Sequence, residues 1–361
     1  MQRLLPWLDG SRAADTPAMK LLLALLGGVG AALGGLQWLK AKRHELGICR
    51  AYRAPCPVIS VGNLTVGGTG KTPMVLWIAR RLQAAGHRVA VVSRGYRQES
   101  RARVTVVADP DGVRLAPPEA ADEAVLIARS LPGVTVLTGA DRPALIRHAV
   151  EALQCDRIVM DDGFHRLDVA RDLDLVLVDA RRPFGNGRLL PGGILREFPA
   201  ALSRCDALIL TRADDPISTG KSLERLGRLF PGQPLLTAIH APTAWIPIHP
   251  PGPPLPLDAL RGQAAYAFCG LAAPEGFQRT LAALPLALTG FHPFPDHHPF
   301  TSAELERLQK EAQKGGADCL VCTEKDAVKV HASPAIPLFA LRVEMQVEQG
   351  RGWLEREMPS G

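Results

Sequence analysis

Apolar and polar positions fall into three regimes along the chain. Between positions 21 and 39 no residue is charged, and Gln37 is the one strongly polar side chain. A helix there is apolar on every face rather than along one stripe, and it is close to the length that crosses a bilayer. Beyond it, short apolar runs alternate with helical periodicity. Runs 58–61, 89–93, 104–108, 134–137, 157–160, 173–178 and 207–211 read as strands. Segments 74–85, 120–130, 142–153 and 222–229 read as helices. Around 247–256 the periodicity stops and prolines accumulate, which predicts a linker. A second alternation follows: strand 265–268, helix 274–283, strand 286–291, helix 302–314, then strands 319–323 and 337–343.

Alternation of this kind predicts an α/β fold: a doubly wound, mostly parallel sheet with a second, smaller α/β domain. The expected division is an N-terminal membrane-associated helix over 1–45, a larger α/β domain over 46–246 and a smaller C-terminal α/β domain over 247–361. Lys20 precedes the apolar segment, while Trp38, Lys40, Lys42, Arg43, Arg50 and Arg53 follow it. The denser positive charge on the C-terminal side places the rest of the chain in the cytoplasm. Spanning the bilayer and lying in one leaflet both remain open.

Composition narrows the partners. The 361 residues carry a net charge of +6, which suits anionic ligands such as nucleotides, phospholipid headgroups or phosphorylated sugars. No Lys/Arg run with interleaved aromatics is present, so nucleic acid is not expected as a partner. Seven scattered cysteines fit a reducing compartment better than a disulfide framework. Cys319 and Cys322 form a C-x-x-C, but in a strand the two side chains point to opposite faces.

The candidate chemistry begins at Val61-Gly-Asn-Leu-Thr-Val-Gly-Gly-Thr-Gly-Lys-Thr72-Pro73. An apolar run enters a glycine-rich turn, and helical periodicity follows, which is the setting of a phosphate-binding loop. Gly67, Gly68, Thr69 and Gly70 would turn backbone N–H groups toward phosphate oxygens. Lys71 would reach the β- and γ-phosphates, and Thr72 would hold Mg²⁺. The strict spacing G-x-x-x-x-G-K-[ST] is departed from once, at Thr65. Ile158-Val-Met-Asp161-Asp162 is a buried strand ending in two carboxylates, the form that reaches Mg²⁺ beside such a loop.

Other segments are more ambiguous on their residues alone. Asp122-Glu123 opens a helix and, read alone, complements its dipole. The stretch 291–300 gathers three histidines in a proline-rich loop, open to a metal site, an acid–base histidine or simple packing. Arg181, Arg182, Arg188 and Arg196 lie in a glycine-punctuated stretch after a strand, where an open α/β sheet keeps its ligand crevice. Thr323-Glu-Lys-Asp326 ends a strand either at a cleft or in a solvated turn. Thr211-Arg-Ala-Asp214 is loosely similar to a guanine-reading motif, which keeps a rival in view: an ATPase or GTPase that switches partners or delivers a metal.

Taken in order, the segments VGNLTVGGTGKTP (61–73), SRGY (93–96), ADEA (121–124), DDGF (161–164), FGNGRLLPGGILRE (184–197), FCGLAAPEGF (268–277), FPDHHPF (294–300) and TEKDAVK (323–329) resemble the tetraacyldisaccharide 4′-kinase family. The resemblance implies transfer of the ATP γ-phosphate to the 4′-hydroxyl of an acylated glucosamine disaccharide 1-phosphate, giving lipid IV-A. It implies a P-loop kinase domain and a second domain around a cleft, at the cytoplasmic face of the inner membrane of a Gram-negative bacterium. Carried over, Asp122 is the expected catalytic base, paired with His297 rather than His298. Thr72, Glu123 and Asp162, with Asp161 beside them, are the expected Mg²⁺ residues. Lys71 and Arg196 would neutralise charge, while Glu197 and Arg142 match further site positions. The family pattern usually continues DDGF with Gln-His; this chain has His165-Arg166, so a phosphate contact there would fall to Arg166 or be lost. No obligate protein partner is inferred.

Overall fold

The computed structural model describes residues 5–12, 16–96, 98–271, 273–330 and 335–358. Among the described residues two helices come first, α1 (Leu5–Leu8) and α2 (Pro17–Glu45). The first half of the body contains β1 (Val58–Asn63), α3 (Lys71–Ala84), β2 (Val89–Ser93), β3 (Thr105–Asp109), β4 (Gly112–Val113), α4 (Asp122–Ser130), β5 (Thr135–Thr138) and α5 (Arg142–Glu151). It continues with β6 (Arg157–Asp161), β7 (Leu173–Asp179), β8 (Ala207–Thr211), α6 (Pro216–Leu229) and β9 (Leu235–His249). The second half adds β10 (Ala264–Cys269), α7 (Pro274–Ala282), β11 (Ala287–Pro293), α8 (Ser302–Lys314), β12 (Cys319–Thr323), α9 (Glu324–Ala327), β13 (Leu338–Gln349) and α10 (Arg351–Glu357).

Among the described residues all strands join one sheet, ordered β11-β10-β12-β13-β9-β8-β7-β1-β6-β2-β5-β3-β4. From β8 to β5 every neighbour is parallel. Such strands are buried on both faces, so they read as continuous apolar runs. Ile59 and Val61 of β1 enter one core cluster and Val58 enters another. Leu175 and Leu177 of β7 divide in the same way from Val176 and Val178. Each aliphatic side chain fully buried this way contributes about 1.5–3 kcal/mol.

The second half adds two clusters of its own, while its Val328, Met345, Val347 and Leu354 join the core of the first half. In β12, Cys319 and Val321 pack with one cluster, while Leu320 and Cys322 pack with the other. The two halves meet at β9 and β13, a long antiparallel pair running from Thr237–Gln349 to His249–Leu338. The expected boundary at 246/247 therefore falls inside a strand, not in a linker. Of the prolines over 247–256, Pro247 lies in the ladder and the others follow the end of the strand. Pro242 and Pro247 pair at positions where the register shifts, and an irregular position spares proline the N–H it lacks.

Helix α2 runs for 29 residues, about 44 Å at 1.5 Å per residue. Thr16 caps it by accepting from Met19 N at 3.2 Å, and Pro17 sits in its first turn. By length and composition it can cross a membrane. Leu21, Leu25, Val29, Leu33, Leu36 and Leu39 are exposed along it. One narrow strip is buried, formed by Leu23, Gly30, Gly34 and Ala41. A Cβ on Gly30 would lie 2.6 Å from the carbonyl oxygen of Leu189, and one on Gly34 would meet the Leu189 side chain at 2.2 Å. The glycines thus let the 189–192 loop lie directly on the helix. Ahead of α2, Asn186 Nδ2 donates to Trp7 O at 3.1 Å and Leu8 packs on Ile194.

Candidate active site

Strand β1 lies between β6 and β7, so the loop leaving its C-terminal end sits beside the end of β6. That loop holds Gly67, Gly68, Thr69 and Gly70 and passes directly into α3 at Lys71 and Thr72. Gly67 and Gly70 have φ of 110° and 87°, values that side-chain-bearing residues rarely adopt. Lys71 Nζ donates to Asn63 Oδ1 at 3.2 Å and lies 3.9 Å from Asp162 Oδ1.

Asp161 and Asp162 occupy different environments although adjacent. Asp162 is held by Arg196, whose Nη1 donates to both carboxylate oxygens at 2.9 and 2.8 Å. Burial works to raise its pKa, but the charges of Lys71 and Arg196 outweigh it and hold the carboxyl below its ordinary value. Asp161 is buried, and its Oδ1 has no hydrogen-bond partner. Burial, with Glu123 adding repulsion, pushes it up to about 7. A buried carboxylate lacking a donor, beside Glu123 and the first turn of α3, is the chemistry that accepts a cation. Among the described residues no three His, Cys, Asp or Glu side chains form a closed cage. Mg²⁺ does not require one, since it keeps several waters and takes one or two carboxylates with substrate phosphates. Thr72, Glu123, Asp161 and Asp162 fit that demand.

The second half of the chain reaches the site through the 294–300 loop. His297 Nδ1 lies 3.2 Å from Asp122 Oδ2, at the start of α4. His297 has φ of 60°, a strained conformation for a residue with a side chain. His298 takes a different course: Nε2 pairs with Glu304 Oε1 at 3.0 Å and the ring packs between Phe294 and Phe300. The other nitrogen of His297, Nε2, faces Lys325 Nζ at 3.3 Å. An ammonium only donates, so Nε2 accepts and Nδ1 carries the hydrogen given to Asp122. Lys325 also reaches Asp296 Oδ1 at 3.1 Å and Glu123 Oε1 at 3.6 Å. Behind it, buried Lys329 donates to the fully buried Asp326 at 2.9 Å and lies 3.9 Å from Asp122 Oδ2. Burial alone would raise Asp122, but the His297 hydrogen bond and the Lys329 and Lys325 charges outweigh it and lower its pKa.

Several further residues expected at the site are engaged by protein partners in this structure. Glu197 pairs with His165 Nδ1 at 2.5 Å and with Arg204 at 2.8 Å. Arg166 donates to both carboxylate oxygens of Asp168, at 2.9 and 2.6 Å, and to Ala140 O at 3.0 Å. Arg142 is buried and donates to Ser93 O and Gly139 O at 2.8 and 2.5 Å. Burial, with Arg166 nearby, pushes its guanidinium down to about 10.

Sequence reasoning gave no role to Asn63, Lys329 or His240. The segment 323–329 was legible as a motif, but its ion pairs cross some two hundred residues and only the fold brings them together.

The Tetraacyldisaccharide-1-P 4′-kinase family profile matches residues 21–358. A tetraacyldisaccharide 4′-kinase from Anaeromyxobacter sp. (strain K) is 44% identical over 324 residues, covering 88% of this chain and 85% of that protein. The corresponding protein of Syntrophus aciditrophicus (strain SB) is 41% identical over 318 residues, 84% of each. A crystal structure of LpxK from Aquifex aeolicus in complex with ATP superposes with a TM-score of 0.78 at 29% identity, covering 93% of this chain and 98% of that one. The chain belongs to the tetraacyldisaccharide 4′-kinase family and is an ATP-using kinase of lipid A biosynthesis.

Proposed function

We propose that Asp122 is the base for phosphoryl transfer from ATP to the 4′-hydroxyl of an acylated glucosamine disaccharide 1-phosphate. The observation that carries this is the Asp122–His297 contact, which joins the two halves of the chain beside the phosphate loop. A sugar hydroxyl is a weak nucleophile until its proton has an acceptor. As the hydroxyl oxygen bonds to the γ-phosphorus, the bond to the β-phosphate oxygen breaks and its electron pair leaves with ADP. The hydroxyl proton passes to Oδ1 of Asp122, the oxygen other than the one facing His297. His297 donates from Nδ1 and orients the carboxylate, and Lys325 fixes the tautomer.

Lys71 and Arg196 counter the charge on the phosphates. In this structure they face Asp162, so each changes partner when nucleotide enters. Thr72, Glu123, Asp161 and Asp162 would hold Mg²⁺, which when bound supplies charge neutralisation for the phosphates.

The same reading places the acceptor's acyl chains against α2 at the cytoplasmic face of the inner membrane. Its supports are the exposed leucines of α2 and the cations Lys42 and Arg43 in the helix's last turn. A cavity of about 340 Å³ also opens between the helix and the 187–189 loop, lined by Ala24, Gly27, Ala31, Arg188, Leu189 and Phe198.

The test is transfer from γ-labelled ATP to tetraacyldisaccharide 1-phosphate in detergent micelles with Mg²⁺. Label on the distal 4′-oxygen is expected, and Asp122→Ala should lower kcat by about 10²–10⁴-fold while ATP still binds. Labelled lipid at the wild-type rate from Asp122→Ala would remove Asp122 as the base.

A further inference from the structure

The phosphate loop is gripped from behind by the end of β8. Thr211 Oγ1 donates to the carbonyl of Thr69 at 2.9 Å, and Arg212 Nη2 donates to the carbonyl of Gly68 at 2.7 Å. Arg212 is itself anchored, with Nη1 donating to Asp179 Oδ2 at 2.6 Å. Its backbone has φ of 56°, so the chain accepts local strain to aim this side chain.

The consequence follows from peptide geometry. In a trans peptide the C=O and the next N–H point in opposite directions. Drawing the carbonyls of Gly68 and Thr69 toward β8 aims the N–H groups of Thr69 and Gly70 the other way. A phosphate loop binds anions with such N–H groups, and a carbonyl turned inward would repel them.

We propose that Thr211 and Arg212 are positioning residues that preset the phosphate loop by pinning two of its carbonyls. The proposal rests on the reading of 67–72 as the phosphate loop and extends it to two residues that touch only the loop's backbone. It gives the Thr211-Arg-Ala-Asp214 segment a role other than reading a base.

Inorganic tripolyphosphate, which has no base or sugar, is the probe. Its affinity for the full-length protein is measured by calorimetry in Arg212→Ala and Thr211→Val. Losing one charge-assisted or buried hydrogen bond to the loop should weaken binding by roughly tenfold. The conservative Arg212→Lys and Thr211→Ser variants should recover most of it. In steady-state transfer, the KM for ATP should rise and the KM for the lipid acceptor should stay within about twofold.

Unchanged tripolyphosphate affinity in both truncations would overturn the proposal, as would equal rises in both KM values. Where Arg212→Ala does not fold, the Thr211→Val and Thr211→Ser pair decides by the same readouts. Lys71→Ala separates the two levels. If it loses tripolyphosphate while Arg212→Ala and Thr211→Val keep it, the brace alone fails. If Lys71→Ala keeps it, or the wild type never binds it, the phosphate-loop reading fails and the brace with it.

Discussion

At the scale of single residues, the site depends on which of two neighbouring histidines faces the carboxylate. Both lie in Phe294-Pro-Asp-His-His-Pro-Phe300, and composition treats them alike. The fold separates them: the left-handed backbone at His297 places its ring against Asp122, while Phe294 and Phe300 hold the ring of His298. Lys325 then decides the tautomer. Replacing it with methionine keeps the stem but removes the donor to Nε2, freeing the imidazole to carry its hydrogen on the wrong side. Lys325→Met should reduce kcat by at least about tenfold with the KM for ATP within twofold, and Lys325→Arg should restore part of the rate. Steady-state kinetics of the three proteins decide it, and an unaltered kcat in the methionine variant would leave Lys325 without this role. The phosphate loop and the acidic strand end were legible because their chemistry is local in sequence. The Asp162–Arg196 pair and the lysines around Asp122 were not, because their partners lie from 34 to some two hundred residues away.

At the scale of elements, most strands were readable because both faces are buried and the apolar runs are unbroken. Strand β9 was not, since Pro242 interrupts its alternation and Pro247 opens the proline-rich run over 247–256 that reads as a linker. Helix α6 begins at Pro216, six residues before the expected start, and the signal was present in Asp215-Pro216. Asp215 accepts from the N–H groups of Ile217 and Ser218, and proline occupies the first turn. Helix α2 was legible in length but not in its seat. Gly30→Ala should force the 189–190 backbone away from the helix and cost about 1–3 kcal/mol. Gly35→Ala, with open space at that position, should be neutral or slightly stabilising. Thermal unfolding in detergent distinguishes them, and equal melting temperatures for the two variants would show that the helix rides loosely on the loop.

For the whole molecule, the continuous sheet ties the phosphate loop to the pair of strands that joins the halves. His240 of β9 touches Gly70, where a Cβ would come within 2.3 Å of its Nε2. Burial, reinforced by the nearby Arg212 charge, depresses this imidazole to about 4. An unfolded histidine takes up its proton near 6.5, so between pH 6.5 and 4 the unfolded chain binds a proton that the folded chain refuses. The contribution to stability is therefore complete above pH 6.5 and is lost as pH falls toward 4, by up to about 3 kcal/mol. His240→Gln should flatten that part of the melting-temperature profile, and parallel profiles for the two proteins would exclude it. The glycine seat of α2 has a different reach. The loop lying on Gly30 leads within a few residues to Arg196, so packed backbone connects helix to cleft. With α2 in the bilayer as proposed, sliding it by a single turn, about 5.4 Å, would carry the phosphate-transfer machinery the same distance from the headgroups. The height of the reaction above the lipid is then a fixed dimension of the protein, and membrane thickness becomes a variable that selects which acceptors the enzyme can reach.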